Sequence, residues 1–480
     1  MFKNFDKHFY FNIFIGWLVC INISFTIYSL FNGTFQINDD LEHLRAAYFV
    51  SLGEVPYRDF FEHHHPLLWY VLAPLIKILP HKTLVTLAIC RSISFSISVF
   101  TFYYVYKIMR FETKQESSIL IFIAVIFWTI NSFGLFSNVK PDTYARFCYF
   151  FGLYHLFLYF RDKHFKNLQI CTISICFAFM FIQITIFQIL PLIFPVGYFL
   201  YKNPNQIKNI FKALVIPIIM LAIAAYYFYI NDALYLYYEK NWLLNKILSK
   251  INYGNQSPKL YQIKDIILFT IIDLLVYTYY RKFNIYTTTI AILFCSELLQ
   301  RLILPGPIRY CLYLVIFSTI LITPLLTSLI KKYAHLFGII FFVITAYHLL
   351  NSLIEFDIQS SHQTRPYQYF SHRNMEHEKV LTQRFGIYHP RLHYYWMYPL
   401  PESIDNMFFG GHRDYNVEKL ISKHKIRYID IDHNCMYCEI ETNLTEKQKE
   451  ICKNHKISAE MYNKYKPVRN TKLMIMKEDN

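Results

Sequence analysis

Long apolar runs with almost no charge constrain this chain more than any motif does. Ile119 to Phe136, Ala213 to Ile230 and Cys311 to Ile330 are each long enough to cross a hydrocarbon core of roughly 30 Å. Helices buried in soluble cores rarely run that far uncharged, so the expected class is an all-α polytopic membrane protein. Composition agrees: 54% of the residues are apolar, 17% are charged and mean hydropathy is +0.24. The run from Tyr10 to Phe31 follows Lys3 and Lys7 like a secretory signal. It is too long for one and lacks a small-residue cleavage site, so it reads as a retained span.

Scanning for such stretches gives about eleven expected spans. They lie near residues 10–31, 83–106, 118–136, 143–160, 168–184, 187–201, 213–230, 265–280, 284–302, 311–330 and 336–352. With a cytoplasmic N-terminus, the alternate loops carry Lys107 and Arg110, then Arg161, Lys163 and Lys166, then Lys202, Lys208 and Lys212, then Arg281 and Lys282, then Lys331 and Lys332. Short basic loops recurring on one side are the positive-inside pattern, which sets the orientation. The division at 184–187 is the weakest point, yet removing it would place the later basic loops outside. Residues 1–352 are therefore expected to form the membrane core, and residues 353–480 an extracytoplasmic domain. That tail is more polar, with a helix expected at Asn416–Lys423 and strands at Ile426–Ile431 and Lys472–Met476, a small α/β fold. The net charge of +15 accompanies a chain rich in Phe, Ile, Tyr, Asn and Lys, as low-GC coding produces, and implies no nucleic-acid partner.

The chemistry is expected in the first outer loop, residues 32–82. Between Asp39 and Glu62 it holds Asp39, Asp40, Glu42, Glu54, Asp59 and Glu62 against Arg45 and Arg58. Asn38 or Asp39 can cap a helix running to about Leu52, with Gly53 and Pro56 ending it. His43, Ala46, Ala47 and Val50 recur at helical spacing, suiting a helix that lies on the membrane surface. Pro66 to Pro80 is apolar but short and contains Lys77, so a second interfacial helix is expected there. Three consecutive histidines, His63 to His65, follow the carboxylates. A solvated connection is the plain alternative, but charges at an apolar boundary are costly without a role.

Two further outer turns carry candidates. Ser137-Asn138-Val139-Lys140-Pro141-Asp142-Thr143 offers Asp142, which is either a second functional carboxylate or a helix cap. Leu304-Pro305-Gly306-Pro307-Ile308-Arg309-Tyr310 places Arg309 against the positive-inside trend, where it can hold an anionic phosphate or simply snorkel.

The stretch from Asp39 to Pro74 contains Asp-Asp-x-x-His, Ala46, Gly53 and Pro56-Tyr57-Arg58-Asp59-Phe60-Phe61-Glu62-His63-His64. It resembles the first outer loop of bacterial GT-C glycosyltransferases of the protein-mannosyltransferase and aminoarabinose-transferase kind. Lys140-Pro141-Asp142 is similar to that family's second carboxylate motif, and Pro307-Ile308-Arg309-Tyr310 to its later Arg-Tyr element. Tyr394-Tyr395-Trp396 and the strand at Tyr428 to Asp430 echo a terminal outer domain of some members. The resemblance implies a GT-C membrane core and a polyprenyl-phosphate-linked sugar donor. It also implies a lipid, glycan or protein acceptor and transfer with inversion. Asp39 would be the base, Asp142 the second carboxylate and Asp40 their companion; Arg58, His63, His64, Lys140, Arg309 and Tyr310 would hold the donor phosphate. The chain departs from the pattern at Asp40, where Glu is more usual, and at Ile184, where related enzymes often carry Lys.

No cofactor is required by these motifs, although a divalent metal at Asp39, Asp40 and the histidine run is compatible with them. Cys435, Cys438, Cys452 and His455 have zinc-like spacing, but on an oxidising face a disulfide is the expected state. Sequons at Asn32, Asn255 and Asn443 would matter in an endoplasmic reticulum; the expected home is the bacterial inner membrane. The main rival function is a transporter or flippase, which needs polar or broken helices at mid-membrane. Asp273, Glu297 and Arg301 are the residues on which it would rest.

Overall fold

The computed structural model describes residues 37–60, 62–79, 82–112, 138–247, 284–303, 313–314, 316–323, 380–381, 425, 428–430, 465–467 and 473–476. The expected spans at 10–31, 118–136, 265–280 and 336–352 lie outside these residues, as do Asp273, the Arg309–Tyr310 turn, Tyr394 to Trp396, the helix at 416–423 and the tail cysteines with His455. Among the described residues the protein is mainly helical, and three helical stretches there are long and apolar enough to cross a membrane: Val85–Phe111, Gln183–Lys202 and Pro204–Ile230.

The helices are α1 (Ile37–Ser51), α2 (Leu67–Ile78), α3 (Thr83–Glu112), α4 (Pro141–Asp162), α5 (Phe165–Phe181), α6 (Ile186–Ile189), α7 (Ile193–Lys202), α8 (Ile207–Ile230), α9 (Leu234–Tyr237) and α10 (Ile285–Ile303). They divide between two compact units. One contains residues 92–227 and 284–323 as far as described; the other contains 37–91, 228–245 and the strands of the tail.

In the first unit, α4 and α5 form a tight hairpin. Lys163 turns the chain in the left-handed region (φ 55°) while its N–H donates to the Tyr159 carbonyl at 2.8 Å. Gly152 lets the helices close: a Cβ there would meet Ile175 Cγ1 at 3.0 Å and the Cys171 carbonyl at 3.2 Å. Pro217 inside α8 has no N–H for the Ala213 carbonyl, and Thr172 Oγ1 of α5 donates to that carbonyl at 2.9 Å. Phe194, Phe211, Ile218 and Ile223 stay largely exposed, as lipid-facing side chains do.

The expected division near 184–187 corresponds to a real interruption. Helix α5 stops at Phe181, Ile182 is extended (φ −153°, ψ 128°), and the chain then passes through short 3-10 turns at Gln183–Thr185 and Leu190–Leu192. Pro191 cannot donate within a regular helix, which accounts for the second of these turns.

Among the described residues of the tail, four strands form one sheet in the order β1-β2-β4-β3: β1 (Val380–Leu381), β2 (Tyr428–Asp430), β3 (Tyr465–Pro467) and β4 (Leu473–Met476). The β1–β2 pair is parallel, and β4 runs antiparallel to both β2 and β3. Strands β2 and β4 fall inside the two expected from sequence, whereas β1 and β3 were not anticipated.

Candidate functional site

The second unit is built around α1 and α2, neither long enough to span a bilayer. Leu41, Leu44 and Ala47 of α1 and Leu68, Trp69, Leu72 and Ile76 of α2 are all buried, so the apolar stripe of each helix is the wall between them. Helix α1 ends in a Schellman turn. The Glu54 N–H donates to the Phe49 carbonyl (3.1 Å) and the Gly53 N–H to the Val50 carbonyl (3.0 Å), with Gly53 at φ 88°. That geometry is why the sequence needs glycine at this point.

The next turn is fixed by Asp59, whose Oδ2 accepts from the Val55 N–H at 2.7 Å while its own N–H donates to the Val55 carbonyl at 2.9 Å. Tyr57 sits at its centre in the left-handed region (φ 70°), a costly conformation for an aromatic residue. Its fully buried ring packs on Trp69, Phe228 and Tyr237. Its hydroxyl donates to the His64 carbonyl at 2.5 Å, and its carbonyl accepts from Lys240 Nζ at 2.5 Å. Lys240 and Asn241 come from a π-helical turn, Tyr238–Leu243, whose wider register sends both side chains to the same loop. Asn241 Nδ2 reaches the Tyr57 hydroxyl (3.4 Å), Asn245 Nδ2 donates to the His63 carbonyl (2.6 Å), and the Tyr237 hydroxyl bonds His65 Nε2 (3.1 Å). The segment 228–245 is thus a clamp on the histidine run.

Four ligand-type side chains converge there. Glu42 of α1, Glu62, His63 and His64 present carboxylate oxygens and ring nitrogens that all lie within 4.8 Å of one another. His64 Nδ1 is 3.2 Å from Glu62 Oε2 and 3.7 Å from Glu42 Oε1; His63 Nδ1 is 3.9 Å from Glu62 Oε2. The His63 backbone N–H also donates to Glu62 Oε2 at 3.0 Å. Trp69 Nε1, a donor only, donates to His43 Nδ1 (3.3 Å). Burial holds the His63 imidazole well below the ordinary histidine range, and His64 and His43 beside it push the same way.

Of the residues expected to act, Asp39 lies in the first turn of α1, with its side chain outside the described set. Asp40 is fully buried, and its Oδ2 accepts from Arg91 Nε at 2.6 Å and pairs with the same guanidinium through Nη2. Asp40 is therefore a buried structural partner of Arg91 rather than a carboxylate open to solvent. Arg58 forks onto Asp59 at 2.9 and 2.8 Å and donates to the Asn231 carbonyl at 3.1 Å. His63 and His64 are brought together.

Lys140 and Asp142 belong to the first unit. Lys140 is the N-cap residue of α4, Pro141 occupies the first helical position and Asp142 follows in the first turn, half-buried. Asp142 is thus not the capping residue, although its charge favours the positive end of the helix. The same unit buries Gln188, whose Nε2 donates to Glu297 Oε1 and, at 3.5 Å, to Gln300 Oε1, while the Tyr149 hydroxyl donates to the Gln188 carbonyl at 3.2 Å.

Sequence reasoning counted Glu42 and Glu62 as charge but did not single them out, and it missed Arg91, Tyr57 and Lys240. Arg91 was detectable as a cation inside an otherwise apolar stretch. No family model matches the chain, and no curated protein matches it.

Proposed function

We propose that this protein is a membrane glycosyltransferase that moves a sugar from a polyprenyl-phosphate donor to a hydroxyl acceptor at the outer face of the membrane. In this reading the acceptor O–H gives its proton to Asp39 as its oxygen attacks the anomeric carbon. The bond from that carbon to the phosphate oxygen breaks, and polyprenyl phosphate leaves with inversion at the sugar. By the resemblance, Asp142 is the second carboxylate, and Lys140, Arg58, His63, His64, Arg309 and Tyr310 are the candidates for holding the phosphate. The surrounding architecture is a GT-C-type core of about eleven spans with a cytoplasmic N-terminus and a small outer α/β domain after residue 352.

The observation that carries the reading is the compact pair of short helices, α1 and α2, holding an acid- and histidine-rich loop in one fixed conformation. These residues also bear the resemblance to the GT-C first outer loop. A solvated connection would give no reason for a strained Tyr57 or for the clamp from 228–245. The burial of Asp40 against Arg91 supports keeping Asp39, rather than its neighbour, as the proposed base.

The test is label transfer from radiolabelled undecaprenyl-phosphate sugars to a membrane-extract acceptor pool, using purified protein in lipid. Wild type is expected to transfer label and Asp39→Asn, folded and inserted, to lose it; normal turnover in that variant refutes the assignment of the base. The transporter reading is favoured by one observation, the buried Gln188–Glu297–Gln300 cluster in apolar helices. Substrate flux across sealed vesicles that Glu297→Gln abolishes, without label transfer by wild type, would select it.

A further inference from the structure

We propose that Glu42, Glu62, His63 and His64 form a binding site for one divalent transition-metal ion, with zinc the best fit. The site takes His63 and His64, also assigned above to the donor phosphate, as metal ligands, and it rests on the ligand set and its geometry rather than on sugar transfer. Four ligand atoms from two sequence-distant segments lie within 4.8 Å of one another. A tetrahedral ion with bonds near 2.05 Å holds its ligands about 3.3 Å apart. Octahedral magnesium brings neighbouring ligands to about 3.0 Å. Three of the nitrogen–oxygen separations are 3.2, 3.7 and 3.9 Å, close enough for small side-chain rotations to bring the ligands onto one ion, and the choice of metal rests on the ligand types. Two imidazoles argue against calcium and magnesium, which take oxygen ligands, and two carboxylates argue against copper(I).

The support around the ligands points the same way. A metal site needs side chains whose backbones are held, and both histidines are held by their carbonyls: His63 by Asn245 Nδ2 at 2.6 Å and His64 by the Tyr57 hydroxyl at 2.5 Å. Glu42 is anchored on α1 one residue from His43, which Trp69 orients. Asp40, a natural candidate by its position, is held by Arg91, and the carboxylates that lie beside the histidines are Glu42 and Glu62. Bound there, the ion would tie α1 to the loop leading into α2, closing the unit that the clamp from 228–245 braces. The competing arrangement is a histidinium shared between the two glutamates.

Purified full-length protein, stripped with chelator and dialysed against buffered zinc, is expected to bind one ion per chain by elemental analysis. Cobalt in its place is expected to give the intense visible bands of a four-coordinate site without thiolate charge-transfer absorption. At the free zinc that nearly saturates wild type, Glu62→Gln and His64→Gln should hold less than a tenth as much, while the double variant Cys435→Ser/Cys438→Ser should hold a full ion. Should the ligand variants fail to fold, the wild-type cobalt spectrum still decides. No stoichiometric ion, thiolate absorption, or undiminished binding in His64→Gln each overturns the site.

Discussion

Replacing Asp40 by Asn should destabilise the α1–α2 unit by about 3–5 kcal/mol, because it strands the Arg91 guanidinium in the interior. The magnitude follows from the geometry. Both side chains are at most 1% exposed, and Arg91 Nε lies 2.6 Å from Asp40 Oδ2. Two unit charges centred about 4 Å apart attract by about 4 kcal/mol at an effective dielectric of 20, in line with the cost of breaking such pairs. At about 1.4 kcal/mol per decade, local opening becomes roughly a hundred to several thousand times more frequent. Hydrogen–deuterium exchange of the amides over residues 40–47, in detergent or nanodiscs, reads that opening directly. The paired change Asp40→Leu/Arg91→Met should recover most of the loss, since it removes both charges and keeps the volume apolar. Exchange in Asp40→Asn within about threefold of wild type would refute the reasoning, as would a double variant no better than the sum of its parts. A stable Asp40→Asn that had lost sugar transfer would instead give this carboxylate a chemical role.

Other consequences are as direct. Gly53→Ala should cost about 1–2 kcal/mol from backbone strain alone, since φ is 88° and a Cβ there meets nothing within 4 Å; a thermal shift of wild-type size would contradict it. Tyr57→Phe removes the bond to the His64 carbonyl and should cost about 1–2 kcal/mol, read as faster amide exchange across the 62–66 loop. His63 is held below its ordinary value, so the unfolded chain binds this proton more readily than the folded one. Its contribution is present above about pH 6.5 and is lost as pH falls below that toward the folded value. His63→Gln should flatten that part of the stability–pH curve; an unchanged slope would show that His63 is not its source.

Much of the local structure was legible because local chemistry determines it. The helix expected to run to about Leu52 is found at Ile37–Ser51, with Gly53 just past its end but with Asn38 and Asp39, the expected caps, inside it; the shortness of Pro66–Pro80 predicted the non-spanning α2. Apolar length alone located α3, α4, α5, α7, α8 and α10 to within several residues. What sequence could not show was long-range. Arg91 meets Asp40 across 51 positions, and Lys240 meets Tyr57 across 183. No periodicity encodes such pairs; they exist because packing leaves a buried charge or carbonyl that some distant donor must satisfy. Asp142 shows a finer limit. The motif Lys-Pro-Asp suggested a capping aspartate, but proline's fixed φ suits the first helical position and moves the cap back to Lys140.

The loop's charge likewise looks different once folded. Six carboxylates against two arginines between Asp39 and Glu62 make the loop strongly acidic in sequence. In the structure Asp40 is matched by Arg91 and Asp59 by Arg58, while Glu42 and Glu62 both face the His64 imidazole, with His63 beside Glu62. The first two matches are permanent, because arginine stays charged at any physiological pH. The third depends on what the histidines carry: a proton gives a cluster whose charge changes with pH, and a metal ion gives one that stays neutralised while the ion is bound. A catalytic carboxylate on the same helix would sit in a steadier field in the second case. That is the physical link between the proposed ion and the proposed chemistry, and counting metal per chain separates the two cases before any substrate is known.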